Sequence, residues 1–336
     1  MHRPLLLAPL ALALACTDAV GTGRVQVFVE AEDTIPEGLS PGSGPEDVVD
    51  GWAVRYSKFL VVVGDFRAAR SADPTAELRD DTLTIVDLLN LPPGGLVLAE
   101  FADVDAVRWD RFGYDLANAT DVAESADGLA DADRALMLDG GYSIYVEGTL
   151  TKPDGQSCAP GDPADCAPAP EIAFRWGLAA GTSFDDCAPE EGDAGFAVPQ
   201  GGAAQIKPTI HGDHWFFTNI TQGAEQTERR AQWIADCDLD RDGETTLDEL
   251  KSVPAAVVFR PELGYSVSGA LEPINYAYDY LLAQARTLGD FQGEGECPTR
   301  APLPWPRSTP SSSSSSAPAP AGCCGSSASC PSSASP

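Results

Sequence analysis

Asp238, Asp240 and Asp242 fall on every second residue, Gly243 follows at once, and Glu249 closes a twelve-residue frame opened by Asp238. Short carboxylates turned inward by a glycine and met from behind by a longer one suit a hard dication. Calcium takes six to eight oxygens at about 2.3–2.6 Å. In such a frame Asp238, Asp240, Asp242 and Glu249 give side-chain oxygens, Glu249 both of its own. Glu244 gives its backbone carbonyl, and Thr246 sits at the ninth position. Four convergent carboxylates repel one another without a cation, so the spacing predicts bound calcium. An acidic solvated turn is the alternative, but acidic runs rarely set Gly and Glu in this register.

The second constellation is the tetrad His211-Gly212-Asp213-His214, which holds every histidine except His2. Ile206, Pro208 and Ile210 read as one face of the preceding strand, which puts Gln205, Lys207, Thr209 and His211 on the other, solvated face. A turn at Gly212 and Asp213 then brings His214 round to His211. Two imidazoles and the Asp213 carboxylate suit zinc or copper with an open coordination position. The competing reading is a polar turn whose histidines satisfy backbone groups or stack on Trp215 and Phe216.

The carboxylate frame matches D-x-D-x-D-G-x5-E and so resembles the EF-hand calcium loop. The resemblance covers the loop and its flanking helices only. The eighth position carries Thr245, where paired EF-hands place Ile, Leu or Val to bridge a second loop, and the chain has no second complete loop. The resemblance therefore implies a solitary EF-hand whose ion is structural, because a sensor needs a paired element that opens.

Arg3, the apolar run Leu5–Ala15 and the small residues before Cys16 form a secretory signal, too short to span a bilayer. The stretch resembles a bacterial lipoprotein signal peptide, which implies lipidation of Cys16 and anchoring to a membrane. Ala13-Leu14-Ala15 also fits ordinary cleavage, which would release a secreted product. Both readings place the protein outside the cytoplasm, where calcium is plentiful and disulfides persist. From the strands through the histidine tetrad into the acidic loop, the chain is similar to exported bacterial lipoproteins of unassigned function. It is more faintly similar to periplasmic copper-binding sandwich proteins.

A net charge of −30 argues against nucleic acid as a partner and favours solubility. The eight cysteines beyond Cys16 read as disulfides. One bridge is expected among Cys158, Cys166 and Cys187, and another between Cys237 and Cys297. No nucleophile elbow, zinc-protease helix or phosphate loop is present, so the reading is a binding protein rather than an enzyme. The adjacent Asp185 and Asp186 could serve glycoside hydrolysis, but such pairs are usually solvated charge. No protein or glycan partner can be named from these residues.

Period-two alternation around Val25, Val27 and Val29, around Tyr142, Ile144 and Val146, and around Ile172, Phe174 and Trp176 predicts half-buried strands. Further strands are expected at Trp52–Val63, Thr82–Val86, Leu96–Phe101 and Gln205–Ile210. With no long amphipathic helix between them, the expected class is mainly β: an antiparallel β-sandwich-like domain over residues 16–220, after a signal peptide at 1–15. Residues 221–299 read as a helical segment carrying the loop, with helices at Glu225–Ala235 and Ile274–Ala285 and Gly289 as a helix stop. From residue 300 to 336 the chain is Ser, Pro and Ala, a composition expected to be disordered.

Overall fold

The computed structural model describes residues 20–220 and 227–300, with Pro74 as backbone only. The signal segment, Cys16, the cysteines after Cys297 and the expected disordered tail, apart from its first residue Arg300, lie outside the described residues. The chain is mainly β, with curled sheets and a few short helices.

The longest strand, Ala53–Arg70, explains the larger sheet. Along one edge it pairs antiparallel with Ile144–Thr151 and then with Arg111–Leu116; along the other it pairs with Asp73–Asp87. Its centre, Phe59-Leu-Val-Val-Val63, is a continuous apolar run because both faces are covered. Phe59, Val61 and Val63 point into the main core, while Leu60 and Val62 join a second cluster with Met137 of helix Asp131–Gly140. Ile144–Thr151 carries the sheet on to Glu171–Leu178.

In the smaller sheet, Thr22–Ala31 pairs antiparallel with Leu96–Asp105. On its other edge it pairs parallel with Ala203–Ile206 and Pro208–Ile210, and Pro208–Ile210 pairs antiparallel with Gly289–Phe291. These parallel ladders depart from the all-antiparallel expectation. Val25, Val27 and Val29 of this sheet share one core with Phe59, Phe174 and Trp176 of the other, and with Leu281 of the 221–299 segment.

Several local expectations are corrected. Of the expected helix Glu225–Ala235, residues 225 and 226 lie outside the described residues, and the rest holds a single turn, Gln232–Ala235. Before it the backbone is committed elsewhere: Val49 N–H donates to Arg229 O at 2.9 Å, Thr218 N–H to Glu228 O at 2.9 Å, and Arg230 N–H to Phe216 O at 2.7 Å. The second helix starts at Ala277, not Ile274, because Ala255 N–H takes Asn275 O and the Asp279 carboxylate caps the N–H groups of Asn275 and Tyr276. Gly289 is no helix stop. It lies in a strand where an added Cβ would sit 2.5 Å from the Tyr114 hydroxyl.

The bridge expected among Cys158, Cys166 and Cys187 forms, but the one expected between Cys237 and Cys297 does not. Cys158 pairs with Cys166 across a hairpin, and Cys187 pairs with Cys297. Cys237 is a free thiol, fully buried beneath the acidic loop, and burial pushes its pKa up. Asp185 and Asp186 are ion-paired: Asp185 with Arg67, at 2.7 Å, and with Arg300, and Asp186 with Arg111 at 2.7 Å.

Candidate metal centres

The acidic loop runs from the one-turn helix Gln232–Ala235 into a second single turn, Leu247–Leu250. Gly243, at φ +89°, turns the chain, and Arg241 also adopts a left-handed φ of 59°. The turn brings oxygens of Asp238, Asp240 and Glu249 within 4.8 Å of one another. Two oxygens on opposite sides of a calcium ion at about 2.4 Å are about that far apart, so the three fit one coordination shell. Asp242 is not in this group; its Oδ1 accepts the Glu244 N–H at 2.9 Å. The Thr246 hydroxyl faces Glu249, and the two form a capping box that starts the exit turn. Asp238 is buried, and burial together with the Glu249 and Asp242 charges raises its pKa despite N–H donors from Gly243 and Asp242.

The eighth position has a partner of another kind. Glu244 and Thr245 pair in parallel with Ala173 and Phe174 at the edge of the large sheet, and Ala173 N–H donates to Gly243 O at 2.8 Å. Thr245 is fully buried; its hydroxyl donates to Ile234 O at 2.8 Å, and its carbonyl accepts the Trp176 indole N–H at 2.9 Å. A sheet edge therefore occupies the place that a second loop takes in a paired EF-hand, and a threonine fits because its hydroxyl finds a backbone acceptor.

The histidines sit at one end of the small sheet, where three neighbouring strands converge. Pro208–Ile210 delivers His211, and its parallel neighbour Thr22–Ala31 runs on to Glu32, whose N–H donates to Ile210 O at 2.9 Å. Asp290 lies on the antiparallel neighbour opposite Thr209. His214 opens a short 3-10 turn, with its ring 5.0 Å from that of His211 and stacked on Phe217 at 4.5 Å. Thr209 and His211 are buried, not solvated: Gly293 N–H donates to the Thr209 hydroxyl at 2.9 Å, and the His211 ring lies 5.0 Å from that of His214.

Oxygen and nitrogen atoms of His211, His214 and Asp290 fall within 4.8 Å of one another, and those of Glu32, His211 and Asp213 form a second such set. His211 belongs to both; its Nε2 lies 3.3 Å from Asp290 Oδ2, and its Nδ1 lies 3.8 Å from Asp213 Oδ1. The second contact is longer than a hydrogen bond. His211 Nε2 and Asp213 Oδ1 are buried without a hydrogen-bond partner. Asp213 Oδ2 is held by Arg229 Nε at 2.7 Å.

Charge divides the two rings. Burial depresses the His214 pKa to about 3, helped by the His211 and Arg229 charges, so this ring is neutral at ordinary pH. Burial acts on His211 in the same direction but is outweighed by Asp213, Asp290 and Glu294, which hold its pKa at about 10. Burial raises Asp290 to about 8 although His211 opposes it. Burial would also raise Asp213, but His211, His214 and Arg229 together hold it well below the usual carboxylate range. The site opens on a cleft of about 550 Å³ whose wall includes Glu32, Arg229 and Glu294.

Asp290 and Glu32 belong to no motif in the sequence; the one local signal for Asp290 is an acid within Leu288-Gly-Asp-Phe291. No protein-family model, curated protein or solved structure matches the chain. The EF-hand likeness thus rests on the loop residues alone. Among the described residues no helix is long and apolar enough to cross a membrane.

Proposed function

We propose that the chain is an exported calcium-binding protein, lipid-anchored through Cys16, in which one EF-hand-like loop stabilises a β-sandwich-like binding domain. The observation that carries this reading is the bridge between the loop and the large sheet. Glu244 and Thr245 are ladder residues as well as loop residues, and the Thr245 carbonyl is tied to the buried Trp176. An ion that neutralises Asp238, Asp240 and Glu249 therefore holds the sheet edge and the core beneath it. Opening of the kind a sensor needs would break the ladder and strip a buried indole N–H of its acceptor, a cost of about 1–3 kcal/mol for that group alone. The two disulfides agree with an oxidising compartment. Melting curves with calcium and with chelator test the reading. The calcium form melts higher with no gain in binding of a dye that reports exposed apolar surface. Unchanged melting, or a calcium-dependent rise in dye binding, counts against it.

A further inference from the structure

The histidine cleft raises a question that the calcium loop does not answer. Buried polar atoms without partners are rare, and two of them, His211 Nε2 and Asp213 Oδ1, lie at one site on the wall of one cleft. His211 Nε2 and Asp290 Oδ2 are 3.3 Å apart, yet Nε2 has no hydrogen-bond partner. That separation has another meaning. Zinc holds nitrogen and oxygen ligands at about 2.0–2.1 Å in a tetrahedron, and the edge of such a tetrahedron is about 3.3 Å. Neighbouring ligands of a square-planar copper ion would be closer, about 2.8 Å apart.

His214 completes the set. Its Nδ1 lies 2.8 Å from Thr287 Oγ1, and that hydroxyl donates its own proton to Gln284 O at 2.8 Å. With the hydroxyl proton on Gln284 O, the ring donates from Nδ1, the tautomer that leaves the Nε2 lone pair for a metal. One ring nitrogen of each histidine and a carboxylate oxygen of Asp290 lie within 4.8 Å of one another. Asp213 has a different place. Its Oδ1 lies 3.8 Å from Nδ1 of His211, longer than a hydrogen bond, and its Oδ2 is gripped by Arg229, so its charge faces the ring on the side away from Asp290.

We infer that His211, His214 and Asp290 form a zinc site, with Asp213 positioning His211 and a fourth coordination position open to the cleft. Calcium would not serve here, since two imidazoles and one carboxylate fall short of its need for six or more oxygens. The inference is independent of the acidic loop.

The test uses the full chain, stripped with chelator, returned to excess calcium so that the loop is filled, and then incubated with excess zinc. After gel filtration one zinc per chain is retained. His214→Gln and Asp290→Asn each reduce zinc affinity by a hundredfold or more, whereas Asp213→Asn keeps the stoichiometry and weakens affinity about 10- to 100-fold. Cobalt(II) in the wild-type protein gives the intense visible absorption of a four-coordinate ion, distinct from the weak bands of an oxygen-ligated octahedral one. That measurement decides the matter even if a variant fails to fold. Wild-type protein that melts cooperatively but keeps no zinc overturns the inference. So does equal zinc retention by folded His214→Gln and Asp290→Asn, or a cobalt spectrum of the octahedral kind.

Discussion

Replacing Glu249 with Gln is the sharpest perturbation of the proposed calcium loop, and two effects are expected. On that proposal the carboxylate is the bidentate ligand, and in the structure it also serves the backbone. Oε1 accepts the Leu239 N–H at 2.8 Å, and Oε2 accepts the Thr246 N–H at 2.8 Å. A glutamine has one such oxygen, so one of these N–H groups loses its acceptor at a cost of about 1 kcal/mol, with or without calcium. The metal contribution adds to this. An ion bound only by the folded state stabilises by RT ln(1 + [L]/Kd), about 2.7 kcal/mol at a hundred times Kd. For a folded body of this size 1 kcal/mol moves Tm by about 2 °C. The variant should therefore melt about 2 °C below wild type in chelator and about 7 °C below it in calcium, by calorimetry. The informative quantity is the difference between conditions, about 5 °C. Glu244→Gln is the control: its side chain reaches only Arg175, at 4.0 Å on the surface, and should move Tm by less than about 1 °C in either condition. An equal fall for Glu249→Gln with calcium and with chelator would show that the residue caps a helix turn and binds no ion.

Three further outcomes follow from particular contacts. Asp50 Oδ2 accepts the N–H groups of Ala231 and Gln232, each at 2.9 Å, while burial raises its pKa despite them. A carboxylate raised in the folded state contributes stability that is full below its unfolded pKa and lost as pH rises through the folded one. Asp50→Asn should thus gain on wild type as pH climbs from 4 to 7, and parallel pH profiles of Tm would refute this. Cys187–Cys297 closes a loop of 110 residues and Cys158–Cys166 one of 8, so chain entropy assigns them about 5 and about 2.5 kcal/mol; paired Cys→Ser variants in urea should rank in that order. Cys16→Ser should move the protein from the detergent-extracted membrane fraction to the soluble one, and wild type already found in the soluble fraction would remove the anchor.

What could be read from the sequence was local. The acidic frame is twelve consecutive residues, and Asp238, Asp240 and Glu249 of it meet because the chain turns at Arg241 and Gly243. The strands around Val25–Val29 and Ile172–Trp176 announce themselves by alternation, and their burial follows it. Where the reading failed, partners far along the chain decide the outcome. Residues 227–231 are not helical because their backbone groups pair with Phe216, Thr218 and Val49. Thr209 and His211 are buried among groups distant or turned back on them, Gly293 N–H on the Thr209 hydroxyl and the His214 ring beside His211. Cys297 bonds Cys187, not Cys237, because Asp185 N–H donates to Pro298 O and Ala188 N–H to Glu296 O, which sets Cys187 beside Cys297. The same cause hid Asp290 and Glu32. Each ordinarily reads as surface charge, and neither lies near the histidines in sequence. Only the register of the small sheet, with Ala31 beside Ile210 and Thr209 beside Asp290, sets both against His211. An acid within a buried apolar strand is the one local mark such a site leaves. A lone carboxylate is costly there unless a cation, whether an imidazolium or a metal, meets it.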